Sequence, residues 1–168
     1  MPNPNTIQPM DRPGVSKGKA IGGAAAAIAL TTTALIAPWE GKRNDPYLDI
    51  VKVPTVCYGE TRVQMRRYTD AECMAMLQKA VGQDFAPEVF KCVPMLRDRP
   101  YPAAAAISLS YNIGTRGFCK STAARLFNAG DVAGGCQAMT RFNRAGGKVV
   151  KGLVNRRTAE YRLCMRGL

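Results

Sequence analysis

Residues 39–61 read W-E-G-K-R-N-D-P-Y-L-D-I-V-K-V-P-T-V-C-Y-G-E-T, and this stretch decides how the rest of the chain is interpreted. It holds Glu40, Asp49 and Thr55, two carboxylates and a hydroxyl within sixteen residues. Glycine, asparagine and proline residues between them mark turns, so the segment is able to fold back and bring the three side chains together. Two carboxylates, one protonated as an acid and one ionised, are the minimum equipment for cleaving a glycosidic bond.

The residues that flank these side chains sharpen the pattern. E-G follows a long helical stretch, Y-x-D precedes a strand-like run, and T-V-C-Y-G-E-T predicts a strand that enters a turn. The segment resembles the catalytic region of the phage-type lysozymes, glycoside hydrolase family 24, in which E-G, Y-x-D and T-x-G-x-G mark the same three positions. Cys57 stands at the first glycine of the last motif and Glu60 at its usual histidine. These departures leave the three candidates in place but argue against a local ion pair that needs the histidine. The alternative is a solvated Glu and Asp on a loop.

Composition limits the class of protein. The chain has 168 residues and is 46% hydrophobic, which is enough for one globular domain with a core. Lys and Arg total 24 against 12 for Asp and Glu, so the formal net charge is +12 and a polyanionic partner is expected: nucleic acid, anionic lipid or peptidoglycan. The absence of histidine excludes His-liganded metal chemistry and Ser-His or Cys-His nucleophile pairs.

Cysteine usage indicates the compartment. The six cysteines contain no C-x-x-C pair and all follow residue 56. Behind an apolar N-terminal segment, this even, scattered set predicts three disulfides formed in an oxidising compartment, most simply the bacterial periplasm. The alternative is a set of buried free thiols in a cytosolic protein. Cys57 and Cys73 form a plausible local pair, and the remaining connectivity stays open among Cys92, Cys119, Cys136 and Cys164.

The N-terminal region divides into a tail and an apolar segment. Residues 1–16 carry four prolines without periodicity and are predicted to be disordered or extended. Ala20–Ala37 is eighteen residues without charge, near the minimum of about 17 to 25 residues that spans a bilayer. It is weakly apolar, being built mainly of Ala, Gly and Thr. Lys17 and Lys19 precede it and orient the N-terminus towards the cytoplasm.

Three interpretations of this segment compete: a cleaved signal peptide, a permanent anchor, and a segment that enters the membrane and later leaves it. Cleavage after Ala37 has poor flanking residues, Leu35 and Pro38. A permanent anchor is expected to be more apolar. Weak apolarity in front of a lysozyme-like motif resembles the signal-anchor-release endolysins of lambdoid phages, and this resemblance favours the third interpretation.

The remainder of the chain predicts a mainly helical lobe. Thr69 with Glu72 is a capping box, followed by core residues at helical spacing. Prolines are expected to break the chain from 86 to 102, and an apolar helix is expected over 103–113, ended by Gly114. Ser121 and Asp131 are predicted to cap two further helices, the second ending near Phe142. A basic, glycine-containing loop then precedes a last helix.

Two later stretches extend the resemblance, so that it covers about residues 39–166. Y-N-I-G-T-R-G-F, residues 111–118, is similar to the family's aromatic-Asn-x-Gly helix end, and residues 141–157 are similar to its R-R signature. The resemblance implies that Asn112, Arg156 and Arg157 bind substrate. For Asn112, helix capping is the favoured alternative. For the two arginines, a solvated helix face is an equal alternative.

The expected fold is α+β and lysozyme-like: a long N-terminal helix, a small β lobe over about residues 46–67, and a mainly helical C-terminal lobe, with a cleft between the lobes. The expected organisation is a disordered tail over 1–16, a signal-anchor-release segment over 17–38, and a catalytic domain over 39–168.

The expected function is an endolysin that hydrolyses the β-1,4 bond between N-acetylmuramic acid and N-acetylglucosamine of peptidoglycan. Glu40 is expected to be the general acid. Burial beside apolar groups such as Trp39 would keep it protonated, the alternative being that Trp39 only marks the membrane interface. Asp49 is expected to stay ionised. The resemblance implies that Thr55 helps to place a water, with net inversion at the anomeric carbon. No metal or organic cofactor is expected. The chain is expected to be a monomer that associates transiently with the inner membrane, then acts in the periplasm, and does not bind nucleic acid. The alternative is a secreted, basic, non-enzymatic module that binds cell wall or membrane.

Overall fold

The computed structural model describes residues 23–49, 52–166 and 168. The predicted tail over 1–16, and Lys17 and Lys19, lie outside the described residues. The helices and strands, in chain order, are α1 Gly23–Ile36, β1 Arg43–Leu48, β2 Pro54–Cys57, α2 Asp70–Lys79, α3 Ala86–Cys92, α4 Pro100–Ile113, α5 Thr115–Cys119, α6 Thr122–Asn128, α7 Val132–Met139, β3 Arg144–Ala145, β4 Lys148–Val149 and α8 Lys151–Met165. A π-helical segment, Ala80–Phe85, joins α2 to α3, and a 3-10 turn, Pro94–Asp98, precedes α4.

Helix α1 packs along α4, the apolar helix at the centre of the helical lobe. Its buried face includes Ile28 and Ile36. Two buried threonines, Thr32 and Thr33, donate their hydroxyl protons to the carbonyl oxygens four residues earlier, at 2.7 Å in both cases. Helix α1 therefore satisfies its buried hydroxyl groups within itself. Over the described ranges 23–49, 52–166 and 168, no helix has both the length and the apolarity to cross a bilayer.

The β lobe is one antiparallel pair, β1 and β2, in which Tyr47 faces Thr55 and Leu48 faces Pro54. The pair begins at Arg43, earlier than the expected residue 46. After β2 the chain turns, and an isolated bridge joins Val56 to Glu60. The turn after β2 therefore lies against the helical lobe.

Cys57, the last residue of β2, has a φ of 59°. The left-handed region costs an L-residue roughly 1–2 kcal/mol, whereas glycine enters it freely. This conformation accounts for the glycine at the corresponding position of the family motif. Here Cys57 is fully buried and bonded to Cys73 of α2.

The disulfide prediction is confirmed. Cys57–Cys73 joins the β lobe to α2, Cys92–Cys119 joins α3 to α5, and Cys136–Cys164 joins α7 to α8. No free cysteine remains among the six, which excludes the alternative of buried thiols in this structure.

Several local predictions are also confirmed. Thr69 and Glu72 form the capping box of α2, and Ser121 and Asp131 cap α6 and α7 by accepting hydrogen bonds from backbone N–H groups. Gly114, with a φ of 82°, ends α4. Helix α7 ends at Met139, a little before the expected Phe142.

The expected break over 86–102 is confirmed only in part. The helical path is interrupted at Val93 and Arg99, directly before Pro94 and Pro100. Between these points the chain stays helical, because α3, the 3-10 turn and α4 each carry proline in their first positions, where the missing N–H has no helical partner to lose. Helix α4 therefore begins at Pro100. The basic loop contains a hairpin, β3 and β4, whose turn residues Gly146 and Gly147 have φ values of 55° and 77°. Two consecutive glycines are the sequence signal of such a turn.

Candidate active site

A cleft of about 270 Å³ lies where the β lobe meets the helical lobe. The turn after β2 forms one wall, and the π-helical segment and α4 form the other. The cleft is lined by polar and aromatic side chains, among them Glu40, Tyr58, Glu60, Arg62, Phe85 and Tyr111. It is the place in the fold where the predicted acid faces open space.

Glu40 is positioned by the end of α1. The backbone N–H groups of Trp39 and Glu40 both donate to the carbonyl oxygen of Ile36, at 2.9 and 3.4 Å. The Glu40 side chain is 25% exposed, and its Oε1 accepts a hydrogen bond of 2.7 Å from Nη1 of Arg156. The end of α1 therefore fixes the backbone at Glu40.

Arg156 and Arg157 lie in α8 and are buried, with 4% and 1% exposure. Both guanidinium groups contact Glu160, a carboxylate with no exposed surface. The alternative of a solvated helix face is therefore wrong for both. Arg157 has almost no surface to offer a glycan, because its Nη1 also donates to Asn112 and its Nη2 to Glu160.

Asn112 lies at the C-terminal end of α4 and is exposed. Its Oδ1 accepts a hydrogen bond of 3.1 Å from Nη1 of Arg157. The side chain thus links the buried charge cluster to the surface, and a substrate contact for Asn112 stays a prediction.

Glu160 was not anticipated as part of the site. It stands three residues after Arg157 and four after Arg156, the helical spacing at which opposite charges meet. Ser108 of α4 donates its hydroxyl proton to Oε1 at 2.7 Å. Burial raises the pKa of Glu160, while Arg157, Ser108 and Arg156 favour its ionised form. Burial lowers the pKa of Arg157, and the charge of Glu160 opposes this.

Asp49 and Thr55 are fixed by a single residue between them. The N–H of Val53 donates to Oδ1 of Asp49 at 2.8 Å, and the Thr55 hydroxyl donates to the carbonyl oxygen of Val53 at 2.9 Å. Thr55 is 3% exposed and Asp49 is partly buried. The β lobe therefore brings these two side chains to the same turn, while the meeting of both with Glu40 stays a prediction.

Glu60, at the family's histidine position, has its own ion pair. Arg62 contacts Glu60 through Nε at 3.2 Å and Asp84 of the π-helical segment through Nη2 at 2.7 Å. Burial raises the pKa of Glu60, but hydrogen bonds from Arg62 and Thr61 outweigh it, and the net shift is downward. Arg62 thus bridges two carboxylates, Glu60 after β2 and Asp84 of the π-helical segment.

Tyr111 completes the wall of the cleft. Its ring centroid lies 4.9 Å from that of Phe85. Burial raises the pKa of the Tyr111 hydroxyl, and the nearby charges of Glu40 and Glu60 add to the shift. The hydroxyl therefore remains protonated and acts as a hydrogen-bond donor. Over the described part of the chain, no group of three or more acidic or thiol side chains is arranged to hold a metal ion.

Known proteins share both sequence and fold with this chain. The SAR-endolysin of Enterobacteria phage P21 is 39% identical over 158 residues, covering 88% of this chain and 92% of that protein. The SAR-endolysin of Bacteriophage PS119 is 38% identical over 152 residues, covering 84% of this chain and 88% of its own. The crystal structure of the active form of the P1 phage endolysin Lyz superposes with a TM-score of 0.69 at 24% identity, over 89% of this chain and 97% of that one.

The family described as Phage lysozyme matches residues 37–160, a range that begins just before Glu40 and ends at Glu160. It includes the β lobe, the cleft and both arginines of α8. On this match and on the identity to its relatives, the chain belongs to the phage lysozyme family.

Proposed function

We propose that the protein is an endolysin that hydrolyses the β-1,4 bond between N-acetylmuramic acid and N-acetylglucosamine of peptidoglycan. The observation that carries the proposal is the position of Glu40: a partly exposed carboxyl on the cleft wall, held by one charge-assisted hydrogen bond from a buried arginine. Membership of the phage lysozyme family supports the same reaction. The net charge of +12 draws the protein towards the anionic wall polymer.

Glu40 acts as the general acid. It donates a proton to the glycosidic oxygen as the bond to the anomeric carbon breaks, and a water attacks that carbon from the opposite face. The leaving sugar departs as a neutral alcohol, because its oxygen has taken the proton.

Asp49 and Thr55 place the attacking water. Because the Thr55 hydroxyl donates its proton to the carbonyl oxygen of Val53, the Thr55 oxygen keeps its lone pairs to accept a hydrogen bond from a water. A water that donates one proton to Thr55 and the other to Asp49 has its lone pair directed away from both. Asp49 accepts the proton that the water loses on attack, and the product has inverted configuration.

The basic, non-enzymatic wall-binding module is separated from this proposal by one variant. Glu40→Gln keeps the shape of the side chain and presents an amide oxygen to Arg156. The amide cannot act as the acid towards the glycosidic oxygen, so the clearing rate should fall by at least about 100-fold. The assay is turbidity of outer-membrane-permeabilised Gram-negative cells, with folding checked by circular dichroism. A folded Glu40→Gln protein that clears walls at the wild-type rate contradicts the assignment of Glu40.

We also propose that residues 17–38 insert into the inner membrane and are later released to the periplasm. The name SAR-endolysin, given to relatives at 38–39% identity, supports this course. The internal hydrogen bonds of Thr32 and Thr33 support it physically, since they leave neither hydroxyl unsatisfied in lipid or against α4. In the tethered state Glu40 cannot reach Arg156, and the enzyme is inactive until α1 docks.

Release has its own test. Loss of the membrane potential is expected to trigger release. Membrane fractionation before and after that loss should then find full-length protein shifted from the membrane to the soluble periplasmic fraction. N-terminal sequencing of that fraction decides between release and cleavage. A mature protein that begins at Pro38 or later would overturn release and leave the lysozyme activity untouched.

A further inference from the structure

The contact between Glu40 and Arg156 raises a chemical question. A guanidinium at 2.7 Å favours the ionised form of a carboxyl, whereas a general acid must carry its proton when the substrate arrives. Arg156 alone would therefore oppose the role proposed for Glu40. The surroundings of Arg156 contain the group that offsets its charge.

Arg156 contacts both Glu40 and Glu160, each through a different nitrogen atom of its guanidinium group. Nη1 of Arg156 donates to Glu40, while Nε lies 3.3 Å from Oε1 of Glu160. Arg156 also donates through Nη2 to the carbonyl oxygen of Ser108 at 3.3 Å. One guanidinium is thus shared between a partly exposed carboxyl in the cleft and a fully buried carboxylate beneath it.

Glu160 also contacts Arg157 and Ser108. Glu160 accepts from Ser108 at 2.7 Å and from Nη2 of Arg157 at 2.8 Å, and Nε of Arg157 lies 2.7 Å from its second oxygen. Two guanidinium groups thus face the buried carboxylate of Glu160, and the cluster carries one net positive charge when Glu40 holds its proton. With Glu160 removed, two positive charges would be left in the cluster, in surroundings where water screens little.

We propose that Glu160 is a positioning residue of the reaction, which acts through Arg156 to offset its positive charge so that Glu40 is able to hold a proton. The inference rests on the proposed role of Glu40 as general acid. It assigns a function to a carboxylate that no substrate touches.

The groups that set the charge around Glu40 come from three parts of the fold. Helix α8 supplies Arg156, α4 supplies Tyr111, and the segment after β2 supplies Glu60 and Arg62. Around Glu160 stand Arg157 and Arg156 of its own helix and the Ser108 hydroxyl of α4. Only Glu160 and Arg157 are changed in the test below, so the cleft side of the cluster stays as it is.

The test is the pH dependence of wall clearing by the purified full-length protein. Activity of a general acid falls above the pH at which it loses its proton. This fall is the alkaline limb of the pH–activity curve. Because Glu160→Gln removes a negative charge, the limb should move to lower pH by about 0.5 to 1 unit. Arg157→Gln removes a positive charge and should move the limb to higher pH. The double variant has the same net charge in the cluster as the wild type and should return the limb to near its wild-type position.

Opposite shifts distinguish charge from damage, because a packing defect lowers the rate without moving the two limbs apart. Arg162→Gln, on the exposed side of the same helix, is the matched control and should leave the limb in place. If Glu160→Gln does not fold, Arg157→Gln and the double variant carry the test, since removing a buried pair together is often tolerated.

Coinciding limbs in folded Arg157→Gln and wild type, or in Glu160→Gln and wild type, overturn the role of Glu160. That result is distinct from failure of the proposed function, which is shown by an active Glu40→Gln protein. Suppose that Glu40→Gln is inactive but neither Glu160→Gln nor Arg157→Gln moves the alkaline limb. The proposed reaction then stands, and only the role of Glu160 is overturned.

Discussion

The hydroxyl of Tyr111 donates a hydrogen bond of 2.6 Å to the carbonyl oxygen of Tyr58. The two residues are 53 positions apart, one at the end of α4 and the other in the turn after β2, and both line the cleft. A direct bond between the lobes therefore crosses the floor of the site, close to Glu40.

Tyr111→Phe removes that bond while it keeps the ring against Phe85. Because a typical hydrogen bond contributes about 1 kcal/mol, with a further cost for the buried carbonyl oxygen of Tyr58, unfolding by urea should show a loss of about 1–2 kcal/mol. Clearing activity should fall as well, since the lobes lose a fixed spacing. Tyr101→Phe, at an exposed tyrosine of the same helix, is the control and should show neither effect.

Thr55 is tested by a pair of variants. Thr55→Ser keeps the hydroxyl that donates to Val53, whereas Thr55→Ala loses it. Misplacement of a reacting group by about 1 Å lowers the rate on the order of 100-fold. The kcat of Thr55→Ala should therefore be reduced by up to about that factor, while the kcat of Thr55→Ser should stay near the wild-type value. The measurement is hydrolysis of purified peptidoglycan at saturating concentration. Equal rates for the two variants would show that the hydroxyl has no part in placing water.

The backbone of Cys57 predicts an unusual order of stability. Two double variants, Cys57→Gly/Cys73→Ala and Cys57→Ala/Cys73→Ala, both lack the disulfide to α2. At a φ of 59° glycine is unstrained and alanine is not, so the glycine protein should be more stable by about 1 kcal/mol. Urea unfolding measures the difference. Ordinarily glycine in a strand is the less stable choice, and that order here would contradict the account of this position.

Glu72 supplies a prediction about acid. Its pKa is lowered to about 2 by a hydrogen bond from Arg66 and by the backbone and hydroxyl of Thr69. The folded pKa lies below the unfolded value of about 4.3, so the stability contributed by this group is complete above pH 4.3 and is lost as pH falls towards 2. Glu72→Gln should therefore be less stable than wild type at pH 6, and the two should converge near pH 2. Asp98→Asn, at another exposed carboxylate, is the control.

Three exposed positions of docked α1 allow the membrane step to be tested without disturbing packing. Gly23, Ala27 and Ala34 face solvent, and a Cβ at Gly23 meets no atom within 4 Å. Leucine at all three should leave the docked fold unchanged and favour the bilayer, by about 0.3 to 0.6 kcal/mol for each central leucine. Lysis should be delayed or abolished, with the protein retained in the membrane fraction. Serine at the same positions is the control, and prompt lysis by the leucine variant would argue against release from lipid.

Sequence reasoning was strongest where a feature is local. The cap residues Thr69, Ser121 and Asp131 signal helix starts by their own hydrogen-bonding chemistry, and all three are confirmed. Glu40, Asp49 and Thr55 stand close in sequence, so their motif was visible without a structure, although their catalytic roles stay predictions.

Features that depend on burial could not be predicted from the sequence. Arg156 and Arg157 are charged residues on a helix, and nothing in their own sequence window says that both are covered by α4 and the segment around Phe142. The same holds for Glu160, whose complete burial has no signal in its own sequence window. Its helical spacing from both arginines was readable, but only the packing of α8 on α4 turns that spacing into a sealed cluster.

Glu40 and Arg156 are 116 positions apart, so the acid is made early in synthesis and its partner late. A nascent or interrupted chain that stops before α8 carries the acid, the β lobe and the cleft wall of α4, but not the guanidinium that holds the acid or the carboxylate that balances it. With the roles proposed for these residues, activity is expected to require a finished chain as well as a docked α1. A truncated copy is then expected to be inactive, and would leave the wall of the producing cell intact.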